Sequence, residues 1–92
     1  MSVGKSGRVR PSKGVHVREF DGEMVLLDLE RGEYFGLDEL GGRVWRGLVE
    51  GETPEQIALR LEPEHDVVLE TLVTDLVALT DELVRRGLVE PV

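Results

Sequence analysis

Asp21-Gly22, set between the β-type runs Val15 to Phe20 and Glu23 to Leu29, constrains this chain more than any other pair of residues. Asp-Gly between two such runs signals a two-residue type I′ turn, which needs positive φ at both positions and joins antiparallel neighbours. A second turn follows at Glu30-Arg31-Gly32, after which Glu33 to Leu37 reads as a third short strand. Side chains alternate along a strand, so Val25, Leu27 and Leu29 share one face of the second run, and Phe35 and Leu37 one face of the third. Those faces are assigned to the core. Tyr34 has the opposite parity and is expected on the other face or the rim, where it serves either packing or partner contact.

Downstream the apolar period changes from two to 3.6. Asp38 caps a helix with Leu40, Val44 and Leu48 on one stripe, Trp45 beside them in the core, and Gly51 as its stop. Gly inside a helix costs roughly 1 kcal/mol relative to Ala, so Gly41-Gly42 points to close approach of another element. Thr53-Pro54-Glu55-Gln56 is a capping box with Pro at the first helical position, opening a helix that buries Ile57, Ala58 and Leu61 before Pro63. The third and longest helix is predicted from about Asp66 to Arg86, closed by Gly87, with Arg85 and Arg86 near its negative end.

At 100° per residue, the apolar side chains of that third helix cover roughly half its circumference, whereas a helix lying on one core needs only about 100°. The excess is a flank such as Val73, Val77 and Val84. Two uses of it stay open: a rich core or dimer seam, or an apolar groove for a partner peptide. Three antiparallel strands followed by three helices give an α+β domain with helices on one sheet face. Such a sheet has two edges, and an edge strand beside spare apolar surface can accept an extended peptide as an added strand.

Composition narrows the function. With 92 residues, the chain suits one domain, burying about 64% of its extended surface in a single small core. The net charge of −8 conceals a partition: residues 1–18 carry five bases and no acid, and residues 19–92 carry six bases and all 19 acids, a net of −13. Residues 1–14 are expected to form a basic, flexible tail, and residues 15–90 the folded domain. An acidic body disfavours nucleic acid and anionic membrane as main partners. With no cysteine there is no disulfide, thiolate metal site or thiol nucleophile. No signal peptide or bilayer-spanning run is visible, so the chain reads as cytoplasmic.

Little points to catalysis. His16 and His65 are the only histidines, and neither has a nearby Ser or second His to complete a catalytic set. His65 and Asp66 beside Glu62 and Glu64 match no metal-ligand spacing and read as a solvated helix start. Gly41-Gly42 lacks a phosphate-loop frame. No enzymatic activity, metal or cofactor is expected of this chain.

Leu26-Leu27-Asp28, Gly32-Glu33-Tyr34-Phe35-Gly36-Leu37-Asp38, Gly41, Val44-Trp45, Leu48, Gly51, Thr53, Glu55-Gln56-Ile57-Ala58, Leu61, Asp75, Leu83 and Gly87-Leu88-Val89 stand in the ordered spacing of a known family. Over about Val15 to Glu90 the chain resembles the PqqD-like family, the precursor recognition elements of ribosomally made, modified peptides. With its Arg10-Pro11-Ser12 opening it is most similar to the free-standing leader-binding subunits of lasso-peptide maturation. The resemblance implies a winged-helix-turn-helix-like, non-catalytic domain whose partner is a precursor leader peptide, added as a strand to the third strand and packed against the third helix. It further implies a separate transglutaminase-like leader peptidase and a lasso cyclase as partner enzymes. Carried over by position, the peptide contacts are Glu33, Tyr34, Phe35, Gly36 and Leu37 from the strand and Leu69, Leu72, Val73 and Leu76 from the helix, with Asp75 as a polar rim. The acidic body favours a leader carrying Lys or Arg, chiefly by speeding encounter.

Two alternatives belong to other classes. A DNA-binding winged helix shares the fold, but the polar face of the third helix carries Glu70, Asp75, Asp81 and Glu82 where a recognition helix needs bases. A dimerisation module would use the same spare flank.

Overall fold

Asp21 and Gly22 adopt φ of 51° and 81°, and the strands they join run antiparallel with Phe20 opposite Glu23. The computed structural model describes residues 2–92. Along the chain lie β1 (Val9–Pro11), β2 (Val15–Phe20), β3 (Glu23–Asp28), β4 (Glu33–Leu37), α1 (Glu39–Val49), α2 (Pro54–Leu61), a 3₁₀ turn (Glu62–Glu64), α3 (Leu69–Arg85) and β5 (Val89–Pro91). β2, β3 and β4 form a three-stranded antiparallel sheet in that order, and β1 pairs with β5 in a second, two-stranded sheet. The expected α+β arrangement of a three-stranded sheet followed by three helices is present, with the β1–β5 pair added to it.

The buried face of β3 is the opposite of the one assigned from sequence. Met24, Leu26 and Asp28 point inward, Val25 and Leu27 are half-buried on the outer face, and Leu29 is 65% exposed past the strand end. Register supplies the reason: Leu26 stands opposite Phe35 and Met24 opposite Leu37. Cross-strand partners share a face, so the inward Phe35 and Leu37 bring the even-numbered residues of β3 with them. Asp28 is tolerated inside because its carboxylate accepts the N–H groups of Glu30 at 3.1 Å and Arg31 at 3.2 Å, shaping the turn into β4.

Part of the basic opening pairs with the folded body. Met1 lies outside the described residues; beyond it, Arg10 pairs with Glu90 across β1–β5 at 2.9 Å, and Val9 is 3% exposed. Val3 N–H donates to Asp81 at 2.8 Å, and Lys5 approaches Glu55 at 3.6 Å. The positive segment thus lies along the acidic body, and its three-residue strand was too short to show a period in the sequence.

The helices begin where their caps say. Asp38 accepts the Gly41 N–H at 2.8 Å. Gln56 N–H donates to Thr53 Oγ1 at 3.2 Å while Thr53 N–H donates to Gln56 Oε1 at 2.9 Å, closing the capping box. Thr53→Ala is expected to cost about 1 kcal/mol, visible as a lower urea midpoint with an unchanged slope. α3 starts at Leu69 rather than near Asp66, because the 3₁₀ turn intervenes and Val68, with extended backbone, serves as an N-cap without a side-chain bond. α1 lies on the inner sheet face and α3 packs on α2 and β5. Leu26, Val44, Leu48, Ile57, Leu61 and Leu83 fill the shared core at 0–1% exposure, with Trp45 at 4%.

Candidate functional site

β4 has β3 on one side and, among the described residues, no strand on the other. α3 stands off from that free edge because it is carried by α2 and β5, so a groove opens between strand and helix. It encloses about 460 Å³ and is lined from β4 by Phe35, Gly36 and Leu37, from α1 by Leu40 and Val44, and from α3 by Leu76 and Leu79. Its walls are apolar. Asp38, the α1 cap, and Asp75 stand where the groove meets α1 and mid-α3.

The other end is cationic and aromatic. The Arg86 guanidinium lies 4.9 Å from the centroid of the Phe35 ring, a cation–π contact. Arg31 Nη1 donates to the Arg86 carbonyl at 3.2 Å, tying the β3–β4 turn to the end of α3. Gly87 follows with φ of 73°, a backbone that favours glycine, and a Cβ there would lie 2.6 Å from Arg31 Nη1 and displace that guanidinium. Arg86 Nε also donates to Glu82 at 2.7 Å, and this bond holds the Glu82 carboxyl below the ordinary glutamate range. Because the folded value is the lowered one, whatever the pair contributes is present above the ordinary pKa and fades as pH falls through the lowered one. Arg86→Gln is expected to return the Glu82 titration upward, toward the ordinary range, in a carboxyl-carbon NMR titration.

Of the sequence-derived contacts, Phe35, Gly36, Leu37, Asp75 and Leu76 come together in this groove. Glu33 sits exposed at the start of β4, and Tyr34, 74% exposed, projects from the outer sheet face opposite Leu27, as its parity requires. Leu72 is buried at 3%, and neither it nor Leu69 nor Val73 lines the groove. None of the flank Val73, Val77 and Val84 lines the groove: Val73 and Val84 pack against the core, and Val84 also lines a separate depression with Val3, Pro91 and Val92. Leu40, Val44 and Leu79 went unrecognised as groove residues. The first two belong to the α1 stripe, which sequence alone assigns wholly to the core, and Leu79 lies on the opposite edge of the α3 arc from Val77.

A larger hollow, about 540 Å³ between α1 and α2, is a weaker candidate. Its lining is charged and already compensated, with Arg60 on Glu52 at 2.7 Å, Arg43 on Glu64 at 2.8 Å and Arg46 on Glu19. No group of three or more His, Cys, Asp or Glu among the described residues is placed to hold a metal ion. Nor is any helix among them long and apolar enough to cross a membrane.

Comparison with known proteins places the chain in a family. The family PqqD, described as coenzyme PQQ synthesis protein D, matches residues 23–89. The chain belongs to the PqqD family. Two solved structures are similar to this PqqD-family chain over most of both lengths. TbiB1 in complex with the TbiA(beta) leader peptide is 38% identical with a TM-score of 0.80, covering 88% of this chain and 94% of that one. A lasso peptide synthetase B1 complexed with the leader peptide is 30% identical with a TM-score of 0.85, covering 91% and 99%. No match is found among curated proteins.

Proposed function

We propose that this PqqD-family chain is a non-catalytic adaptor that captures the leader region of a ribosomally made precursor, of the lasso-peptide class, and presents it to a separate transglutaminase-like leader peptidase and a cyclase. The observation that carries this reading is the pairing of a free β4 edge with an apolar groove along it. A strand added at the usual spacing of about 4.8 Å places every second side chain over that groove and gains its backbone bonds from β4. The two similar structures, both complexes with a leader peptide, support it. The DNA-binding alternative has no support: these likenesses are to leader complexes, and the exposed face of α3 offers Glu70 and Asp75.

Titrating a fluorescent synthetic leader of the cognate precursor tests the reading. Saturable binding in the micromolar range or tighter is expected, with sedimentation showing a monomer whose mass rises by one peptide. No binding at tens of micromolar would end the adaptor reading.

A further inference from the structure

Among the acids of α3, Asp81 accepts the Ser2 hydroxyl and the Val3 N–H at 2.8 Å each, and Glu82 is held by Arg85 and Arg86. Asp75 lines the groove and forms no ion pair among the described residues. No Lys or Arg among them lines the groove beside it. The other carboxylate there is already engaged, since Asp38 accepts the Gly41 N–H at 2.8 Å and faces the positive end of α1. That leaves Asp75 as the uncompensated charge of an otherwise apolar groove.

The fold sets this charge at a fixed distance from the apolar walls. Asp75 and Leu79 are about one helical turn apart, roughly 6 Å, and successive inward side chains of an added strand are about 6.8 Å apart. A peptide whose apolar side chain packs on Leu79 therefore sets its next inward residue, two positions along, against Asp75. The end of α3 lies by the start of β4, where Arg86 stands over Phe35 and Arg31 binds the Arg86 carbonyl. Asp75, about three turns earlier, belongs to the far end of the groove, with Leu37 and Asp38. Antiparallel pairing is the more stable per residue. A peptide antiparallel to β4 enters at that far end, so its residue at Asp75 precedes the apolar one.

We propose that Asp75 selects the leader by taking a Lys or Arg two positions before the apolar residue that fills the groove. The inference rests on the leader-binding reading. Asp75 is exposed in the free chain, and its carboxylate is hydrated there. A strand laid on β4 cuts off part of that water, so an apolar residue above Asp75 leaves the carboxylate without a partner and an acidic one repels it. A base supplies both charge and hydrogen bond. Selection at this position is thus local, distinct from the faster encounter that a body of net −13 gives any basic peptide.

The test titrates the full-length chain with the fluorescent synthetic cognate leader, and with versions of it in which each Lys or Arg in turn is replaced by Gln. Wild type is compared with Asp75→Asn and Glu70→Gln, folding being checked by circular dichroism. Glu70→Gln removes the same charge from an exposed position of α3 outside the groove. Asp75→Asn is expected to weaken the unaltered leader about fivefold, and Glu70→Gln less than about twofold. Replacing the base two positions before an apolar residue is expected to cost wild type a similar factor and Asp75→Asn almost nothing further, the coupling that marks a direct pair. Equal losses in the two variants assign the effect to overall acidity and overturn the proposal. So do losses that merely add, a coupled base that follows the apolar residue, or a cognate leader that binds without a base at that spacing. A wild-type chain that binds no leader overturns the adaptor reading itself, a different outcome from leader binding that ignores Asp75.

Discussion

Leu79→Asp is expected to weaken leader binding at least about thirtyfold, roughly 2 kcal/mol, while the domain stays folded. Leu79 is only half-buried in the free chain, so a carboxylate there remains hydrated and costs little stability. Once an apolar anchor of the peptide covers the groove, that carboxylate loses water and gains no partner, since the walls around it are Phe35, Leu37, Leu40, Val44 and Leu76. The control is Val73→Asp. Val73 lies about 120° round the helix from Leu79 and lines no part of the groove, so its variant should bind within about threefold of wild type. Leu76→Asp is a poor probe, because Leu76 is 2% exposed and its replacement threatens the core itself. Equal binding by wild type and Leu79→Asp, with Val73→Asp impaired, would move the site to the other flank of α3.

The groove exists because two packing preferences leave a gap between them. α1 covers the inner sheet face, and its N-terminal turn, capped by Asp38, lies against the end of β4. α3 is drawn instead to α2, where Leu61, Leu72 and Leu83 are all buried. Between the two helices the inner side of β4 lacks a third wall. Arg31 and Arg86 brace the far end by binding across from turn to helix, so the gap is held open at a set width. A peptide entering such a gap finds its walls in place and loses affinity only through its own ordering.

Much of this was legible before any coordinates. The Asp21-Gly22 turn, the Thr53 capping box and the Asp38 cap depend on local chemistry, and they formed where the residues stand. The inner face of β3 was not legible, because Val25 and Leu27 are as apolar as Met24 and Leu26, and only the register against β4 distinguishes them. The wide apolar arc of α3 announced spare surface but not its direction. Direction follows from where α2 docks, a long-range choice with no signature inside the helix. The β1–β5 pair escaped for the same reason: each partner is three residues long, and they meet from opposite ends of the chain.

Glycines show the same limit, and one of them yields the largest expected stability change. Gly41-Gly42 drew notice in the sequence, yet a Cβ on Gly42 would meet Met24 at an ordinary 3.6 Å, and one on Gly41 is tight only against Leu37 and Asp38 beside it. The close crossing is at Gly47, where a Cβ would lie 2.7 Å from Ile57 Cγ1 and 2.7 Å from Glu52 Oε1. Ile57 is fully buried and cannot retreat, and Glu52 is held by Arg60. Ala gains about 1 kcal/mol over Gly in helix propensity, but forcing a methyl into a filled contact costs about 1–3 kcal/mol; with both neighbours pinned, the upper end applies. Gly47→Ala should therefore lose about 2 kcal/mol net, lowering the melting temperature by roughly 8–16 °C in a domain of this size. Gly42→Ala, with room for its methyl, should gain a few tenths to about 1 kcal/mol. The two opposite signs on one helix are the measurement, read from urea midpoints. α1 also carries Leu40 and Val44 into the groove, so pushing it off Ile57 displaces a groove wall, and Gly47→Ala should weaken leader binding as well. A Gly47→Ala protein as stable as wild type would mean that α1 and α2 part freely, and that the width of the groove is not set by their crossing.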